Sequence, residues 1–165
     1  VLGLLDAFSS LAPAERAANP LLIAGAWGWK ADRIREALAE RRLADHVRLL
    51  GYTHDEQLAA LYSGCTGLLW PTLYEGFGLP PLEAMACGAP VVVSDVASLP
   101  EVVGDAGVRL DPRDAAVWAA TMRRLVGDDA WRGELSRRGV ERAAGFSWAR
   151  CAAETVSCYR AALAD

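Results

Sequence analysis

The chain has 165 residues, with 17 Lys+Arg against 21 Asp+Glu, 53% hydrophobic and 23% charged, which fits one compact globular domain and leaves two cramped. A net charge of −4 gives no general attraction to phosphate backbones or anionic lipid, so nucleic-acid and membrane-surface binding are set aside, while anionic small ligands remain open to local amides. Apolar runs such as Leu21-Leu22-Ile23-Ala24 fall far short of the ~20 residues that span a bilayer, so no transmembrane segment is expected.

The chain opens on a helical pattern, Leu4 to Leu11, with no basic flank or cleavage site of a secretory signal and no initial Met, which reads as an excerpt. Short apolar runs bounded by Gly or Pro then alternate with helical patterns. Pro20 to Gly25, Val47 to Gly51, Gly67 to Pro71 and Pro90 to Asp95 lack strict polar alternation, the pattern of strands buried on both faces. Between them, Ala31 to Arg42, Asp55 to Gly64 and Leu82 to Cys87 carry helix formers at amphipathic spacing. Strand then helix, repeated, predicts an α/β fold: a Rossmann-like doubly wound, mostly parallel sheet with flanking helices. Val108 to Pro112 is a weaker strand, followed by helices at Ala115 to Arg124, Trp131 to Ala144 and Trp148 to Leu163, the last capped by Ser147. A strand order 3-2-1-4-5-6 puts the first strand in mid-sheet, and nothing in this sequence supplies it. Residues 1–165 are therefore expected to be one N-terminally truncated domain.

Cys65, Cys87, Cys151 and Cys158 form no C-x-x-C pair, and only His46 and His54 could join them, so neither a disulfide framework nor a metal site is expected. Cys151 and Cys158, seven apart on a helix, read as small apolar packing on one face. A reducing cytoplasm is the expected compartment. The 31 Ala, and 16 Arg against one Lys, suggest a bacterial genome rich in G and C.

The informative stretch runs from Gly67 to Ala86, from a strand through a glycine-containing turn into a helix, the kind of place where open α/β sheets bind ligands. Gly76 and Gly78 permit close backbone approach, and the following helix start offers unpaired N–H groups to a diphosphate. Pro80 and Pro81 suit a helix's first turn. Glu75 precedes the turn and Glu83 is expected in the first helical turn, where by itself it would merely complement the helix dipole. The dinucleotide fingerprint does not fit, because Pro81 stands where Gly or Ala is needed, and no P-loop occurs.

On these residues, EGFGLPPLEAMACGAPVVVSD resembles the donor-site signature of the family-4 retaining glycosyltransferases, in which two Glu flank a Gly-Phe-Gly-Leu-Pro turn. VRLLGYTHDEQLAALYSGC before it, and SLPEVVGDAGVRLDPRDAAVWAATMRRLVGDD and FSW after it, stand in that family's order, and SLPEVVGDAG points to its mannosyltransferase-like branch. The resemblance implies the nucleotide-sugar half of a two-domain GT-B enzyme whose N-terminal acceptor domain is absent. It implies Glu75 as the catalytic residue meeting the transferred sugar and Glu83 as acceptor for the ribose hydroxyls. It also implies amides of Gly76, Phe77, Gly78 and Leu79 on sugar and diphosphate, with Gly51, Tyr52 and Thr53 at the base. No Asp-x-Asp triplet occurs, consistent with metal-independent transfer without a cofactor. The family's cationic pair would lie upstream of Val1, so the isolated chain is expected to be inactive. A cytoplasmic enzyme is implied, with peripheral attachment at the inner membrane face through the absent domain as the alternative. The competing readings are a non-catalytic nucleotide-sugar or partner-binding module and a nucleotide-sugar epimerase.

Lesser features receive plainer readings. Lys30 reads as a solvated helix start, and Trp27 and Trp29 around Gly28 as interdomain or loop packing ahead of a stacking surface. Trp118, Trp131 and Trp148 read as core or interdomain packing. His54 reads as a capping or exposed residue, and the Arg pairs 41/42, 123/124 and 137/138 as solvated faces.

Overall fold

A computed structural model describes residues 1–26, 28 and 31–163. Trp27, Trp29 and Lys30 lie outside them. The elements run α1 (Leu2–Ser9), α2 (Pro13–Ala18), β1 (Leu21–Ala24), α3 (Ala31–Glu40), β2 (Val47–Gly51), α4 (Asp55–Gly64) and β3 (Leu68–Trp70). They continue with α5 (Leu79–Ala86), β4 (Val91–Ser94), α6 (Leu99–Val103), β5 (Val108–Leu110), α7 (Ala115–Gly127), α8 (Asp129–Ala143) and α9 (Trp148–Ala162).

Every strand pair is parallel, as the continuous apolar runs require. β1 pairs with β2, Leu21 opposite Val47; β3 pairs with β4, Trp70 opposite Val93; β4 pairs with β5, Ser94 opposite Leu110. Among the described residues these form two sheets, β1-β2 and β3-β4-β5, with no ladder between β1 and β3. In the order 3-2-1-4-5-6 that break falls where the first strand would stand.

Side chains alternate across the strands and feed two cores. On one face Val92 joins Leu4, Leu5 and Phe8 of α1, Leu38 of α3, and Trp118, Met122 and Leu125 of α7, and Leu21, Ile23 and Leu49 of the smaller sheet reach the same cluster. On the other face Val91 and Val93 pack with Ala84 and Met85 of α5, Leu99 and Val103 of α6 and Ala143 of α8. Each fully buried valine of β4 contributes roughly 1.5–3 kcal/mol of transfer free energy, so this strand is the best-anchored part of the sheet.

Helix starts follow their capping chemistry. Asp114 accepts from Ala116 N and Val117 N at 3.1 Å, Asp128 from Trp131 N at 2.9 Å and Ser147 from Arg150 N at 3.1 Å. Two helices escape the sequence reading, α2 and α6. With six and five residues they are too short for a periodic signal, and Pro13 and Pro100, which there begin helices, look like breakers from sequence.

The far end of the chain departs from expectation. α9 starts at its Ser147 cap as read, but it has no buried residue; Trp148 is 77% exposed and Cys151 and Cys158 are exposed. Core packing therefore holds for Trp118, which donates its indole N–H to Asp111 O at 2.9 Å, and fails for Trp148 and both cysteines. Trp131 is half-buried beneath the Arg124 guanidinium, 4.1 Å from its ring centre. Like Arg124, two more of the paired arginines are not merely solvated: Arg41 reaches Asp6 in the middle of α1 at 2.7 Å, and Arg123 donates to Ser10 O just after that helix at 2.8 Å.

Candidate functional site

The site begins where β3 runs out. Ser94 Oγ, buried at the end of β4, lies 3.5 Å from Trp70 O, and Thr72 N donates to the same carbonyl at 3.1 Å, so the strand end is held from two sides. Thr72 then closes a small turn, its hydroxyl donating to Tyr74 O at 2.6 Å. That turn delivers Glu75.

The Glu75 carboxylate is gripped by two neutral donors. Trp70 Nε1 donates to one oxygen at 3.0 Å, and the N–H of Gly76 donates to the other at 3.0 Å. Ser98, from the loop after β4, donates to Phe77 O at 2.9 Å and lies 3.5 Å from Glu75 O, so a second strand end fixes the turn's backbone. Gly78 ends the turn at φ 99°, ψ 48°, a left-handed geometry; a Cβ there would stand 2.6 Å from Leu99 Cδ2. The Phe77 ring meets Phe146 edge-on at 6.1 Å, and the Arg142 guanidinium sits 5.0 Å over Phe146 while its Nε donates to Val102 O at 3.0 Å.

Helix α5 starts at Leu79, earlier than the Leu82 expected from sequence, and this corrects two readings. Glu83 lies in the second turn, not the first, so complementing the helix dipole is not its role. The supply of amides also narrows. Pro80 and Pro81 have none, Leu82 N donates to Gly78 O at 3.3 Å, and Gly76 N is taken by Glu75. The N–H groups of Phe77, Gly78 and Leu79 are left without an acceptor among the described residues. Three successive N–H groups are thus unpaired, two of them on exposed residues, at the start of α5.

Glu83 is exposed, four residues after exposed Leu79 and so on its face of α5. Its carboxylate has no hydrogen bond or ion pair among the described residues and stays free as an acceptor. Tyr62 of α4 lies close by: burial, then the charge of Glu83, then Cys87 and Cys65 push its phenol up to about 12, so it stays neutral. Burial likewise raises the Cys65 thiol, against its taking part as a thiolate.

Gly51 ends β2, and Tyr52 and Thr53 follow it. Gly51 has φ 71° and accepts from Gly25 N at 2.8 Å, Thr53 Oγ1 donates to Gly51 O at 3.2 Å, and Tyr52 is 70% exposed. Tyr52 meets His54 edge-on at 5.1 Å beside an open hollow of about 360 Å³ lined also by Asp55 and Glu56. His54 is the exposed N-cap of α4; its imidazole caps nothing, and its own N–H donates to Gln57 Oε1 at 3.2 Å. No hydrogen bond or ring contact joins this group to the Glu75 turn among the described residues. A larger hollow of about 590 Å³, between β5 and α8, contains none of the donor-site residues read from sequence, though Trp131 and Arg138 help to line it.

Sequence reasoning missed Trp70, Ser98 and Phe146. Trp70 carried a readable signal: a strand-end indole five residues from a carboxylate needs an acceptor for its N–H. Ser98 and Phe146 are far from the turn in sequence, and only the fold brings them to it.

Fold and turn together define a class: a parallel, Rossmann-like α/β domain with unpaired backbone N–H groups and a fixed carboxylate beyond a strand's carboxyl end. Solved structures share the fold. Sucrose-phosphate synthase from Thermosynechococcus elongatus superposes with TM-score 0.84 at 31% identity over 99% of this chain and 42% of that one. Anabaena HepE in complex with UDP and glucose superposes with TM-score 0.83 at 21% identity over 94% and 44%, which shows the common fold. The chain belongs to the glycosyl transferases group 1, whose family model matches residues 1–144. Among relatives, it is 42% identical over 160 residues to O-antigen chain mannosyltransferase B of Escherichia coli, and 41% identical over 131 residues to MMP alpha-(1->4)-mannosyltransferase of Mycolicibacterium hassiacum. The aligned region is 97% and 77% of this chain but 42% and 32% of those proteins, so the chain spans less than half of their length.

Proposed function

We propose that this domain binds a nucleotide-diphosphate sugar and presents it for transfer with retention of anomeric configuration, Glu75 being the catalytic residue. The observation that supports this best is the Glu75 carboxylate fixed between two N–H donors beside the free amides of Phe77, Gly78 and Leu79. In a retaining transfer the sugar passes through an oxocarbenium-like state while charge grows on the leaving phosphate. Amides held in place would stabilise that charge without reorganising, the part a divalent cation plays in metal-dependent transfer. Each oxygen of Glu75 keeps an acceptor position for a sugar hydroxyl after receiving one N–H. Glu83 takes the ribose hydroxyls, and Gly51, Tyr52 and Thr53 the base. The relatives named mannosyltransferases favour mannose as the transferred sugar.

An N-terminal domain supplies the acceptor and the cationic pair, and the enzyme works at the cytoplasmic side of a bacterial cell. Calorimetric titration of the full-length protein with UDP-, GDP- and ADP-sugars tests donor binding. There Glu75→Ala removes transfer and leaves nucleotide binding. Unchanged transfer in Glu75→Ala returns the domain to a binding module.

A further inference from the structure

We infer that Trp70 is a positioning residue for Glu75, acting through its indole N–H. The indole is well placed for this. Its backbone ends β3 opposite Val93, its carbonyl accepts from Thr72 N, and its side chain packs against the core around Val93 and Met85. From that anchored position Nε1 reaches Glu75 at 3.0 Å, while Gly76 N holds the other oxygen at 3.0 Å. Two donors on opposite oxygens remove the torsional freedom of a side chain that sits in an otherwise exposed turn, with Tyr74 81% and Leu73 67% exposed on one flank.

The donor's chemistry matters as much as its place. An indole N–H is neutral, so it orients the carboxylate without cancelling its charge, whereas an Arg or Lys would form an ion pair. The full negative charge is then available to the sugar hydroxyls and to positive charge growing at the anomeric carbon. In this role Trp70 acts through Glu75, setting the direction in which the carboxylate offers its remaining lone pairs.

This inference rests on the assignment of Glu75, and its test separates the two. In the full-length enzyme the indole of Trp70 is replaced by benzothiophene, which keeps the shape and deletes the donor, and Trp70→Phe and Glu75→Gln are made alongside. The expected result for the benzothiophene variant is a fall in kcat of about tenfold, the size of a lost hydrogen bond to a charged group, with KM for the donor sugar changed less than about twofold. Trp70→Phe falls at least as far. In ¹H–¹⁵N spectra of this chain, Glu75→Gln moves the Trp70 indole resonance more than those of Trp118 and Trp131. Wild-type kcat in the benzothiophene variant, with Glu75→Gln inactive, overturns the role of Trp70 alone. Wild-type turnover in Glu75→Gln overturns the assignment of Glu75 and this inference with it. A Trp70 resonance indifferent to Glu75→Gln overturns the contact itself.

Discussion

Replacing Gly78 with alanine adds one methyl group at the hinge of the donor turn, and the structure assigns it two separate costs. Gly78 stands at φ 99°, where an L-residue is strained by about 1–2 kcal/mol. The new Cβ would lie 2.6 Å from Leu99 Cδ2, and Leu99 is completely buried among Met85, Val93 and Val103, so the methyl group must push into packed side chains at a further ~1–3 kcal/mol. The sum, about 2–5 kcal/mol, is a large share of the ~5–15 kcal/mol that holds a domain together. At about 2–4 °C per kcal/mol for a chain this size, thermal unfolding followed by circular dichroism drops by roughly 4–20 °C. Gly76→Ala, two residues away, is the control: nothing lies within 4 Å of its Cβ, and stability stays within ~0.5 kcal/mol. A Leu99→Ala background removes the collision and leaves the dihedral strain, so the double-mutant coupling reads the collision alone, about 1–3 kcal/mol. A Gly78→Ala protein that melts within ~1 °C of the parent, or no more readily than Gly76→Ala, refutes this account of the turn.

Gly107→Ala is expected to destabilise without touching the site, because its Cβ would come within 2.5 Å of Val91 Cγ2 and 2.8 Å of Val91 O; urea unfolding should show a loss of at least ~1–3 kcal/mol. Asp114→Ala removes the oxygen that caps α7 and should cost about 1 kcal/mol by the same measurement, with Asp114→Asn recovering most of it. Tyr62 sets an alkaline limit. Its phenol, ordinarily at 10.0, is raised to about 12 in the fold, so its contribution is intact below pH 10 and lost as pH rises through about 12. Chemical denaturation across that range should show the decline, and Tyr62→Phe should flatten it.

The strands were legible in the sequence because burial on both faces leaves a continuous apolar run between glycines and prolines, and β4 shows this most plainly with Val91, Val92 and Val93 all fully buried. Helix boundaries were less so. Pro80 and Pro81 do lie in a helix's first turn, but the helix expected from Leu82 starts at Leu79, and that shift changed the positions of Glu83 and of the free amides. The importance of Glu75 came from its motif, but what holds it did not: the indole of Trp70, five residues away, was a signal left unread, and Ser98, more than twenty residues away, is brought to the turn only by the fold. α9 looked like a packed helix because its periodicity is amphipathic, and periodicity reports that a face can be buried, not that it is.

The break between β1 and β3 also bears on how the molecule behaves in a crowd. A strand edge without a partner is a template for other chains, and proteins usually blunt it with charge or proline. β1 has neither: Leu21-Leu22-Ile23-Ala24 is wholly apolar, and Leu22 is 42% exposed. Concentrated solutions of the chain should therefore cluster edge to edge, raising light scattering with concentration, and a lysine at position 22 should keep them clear.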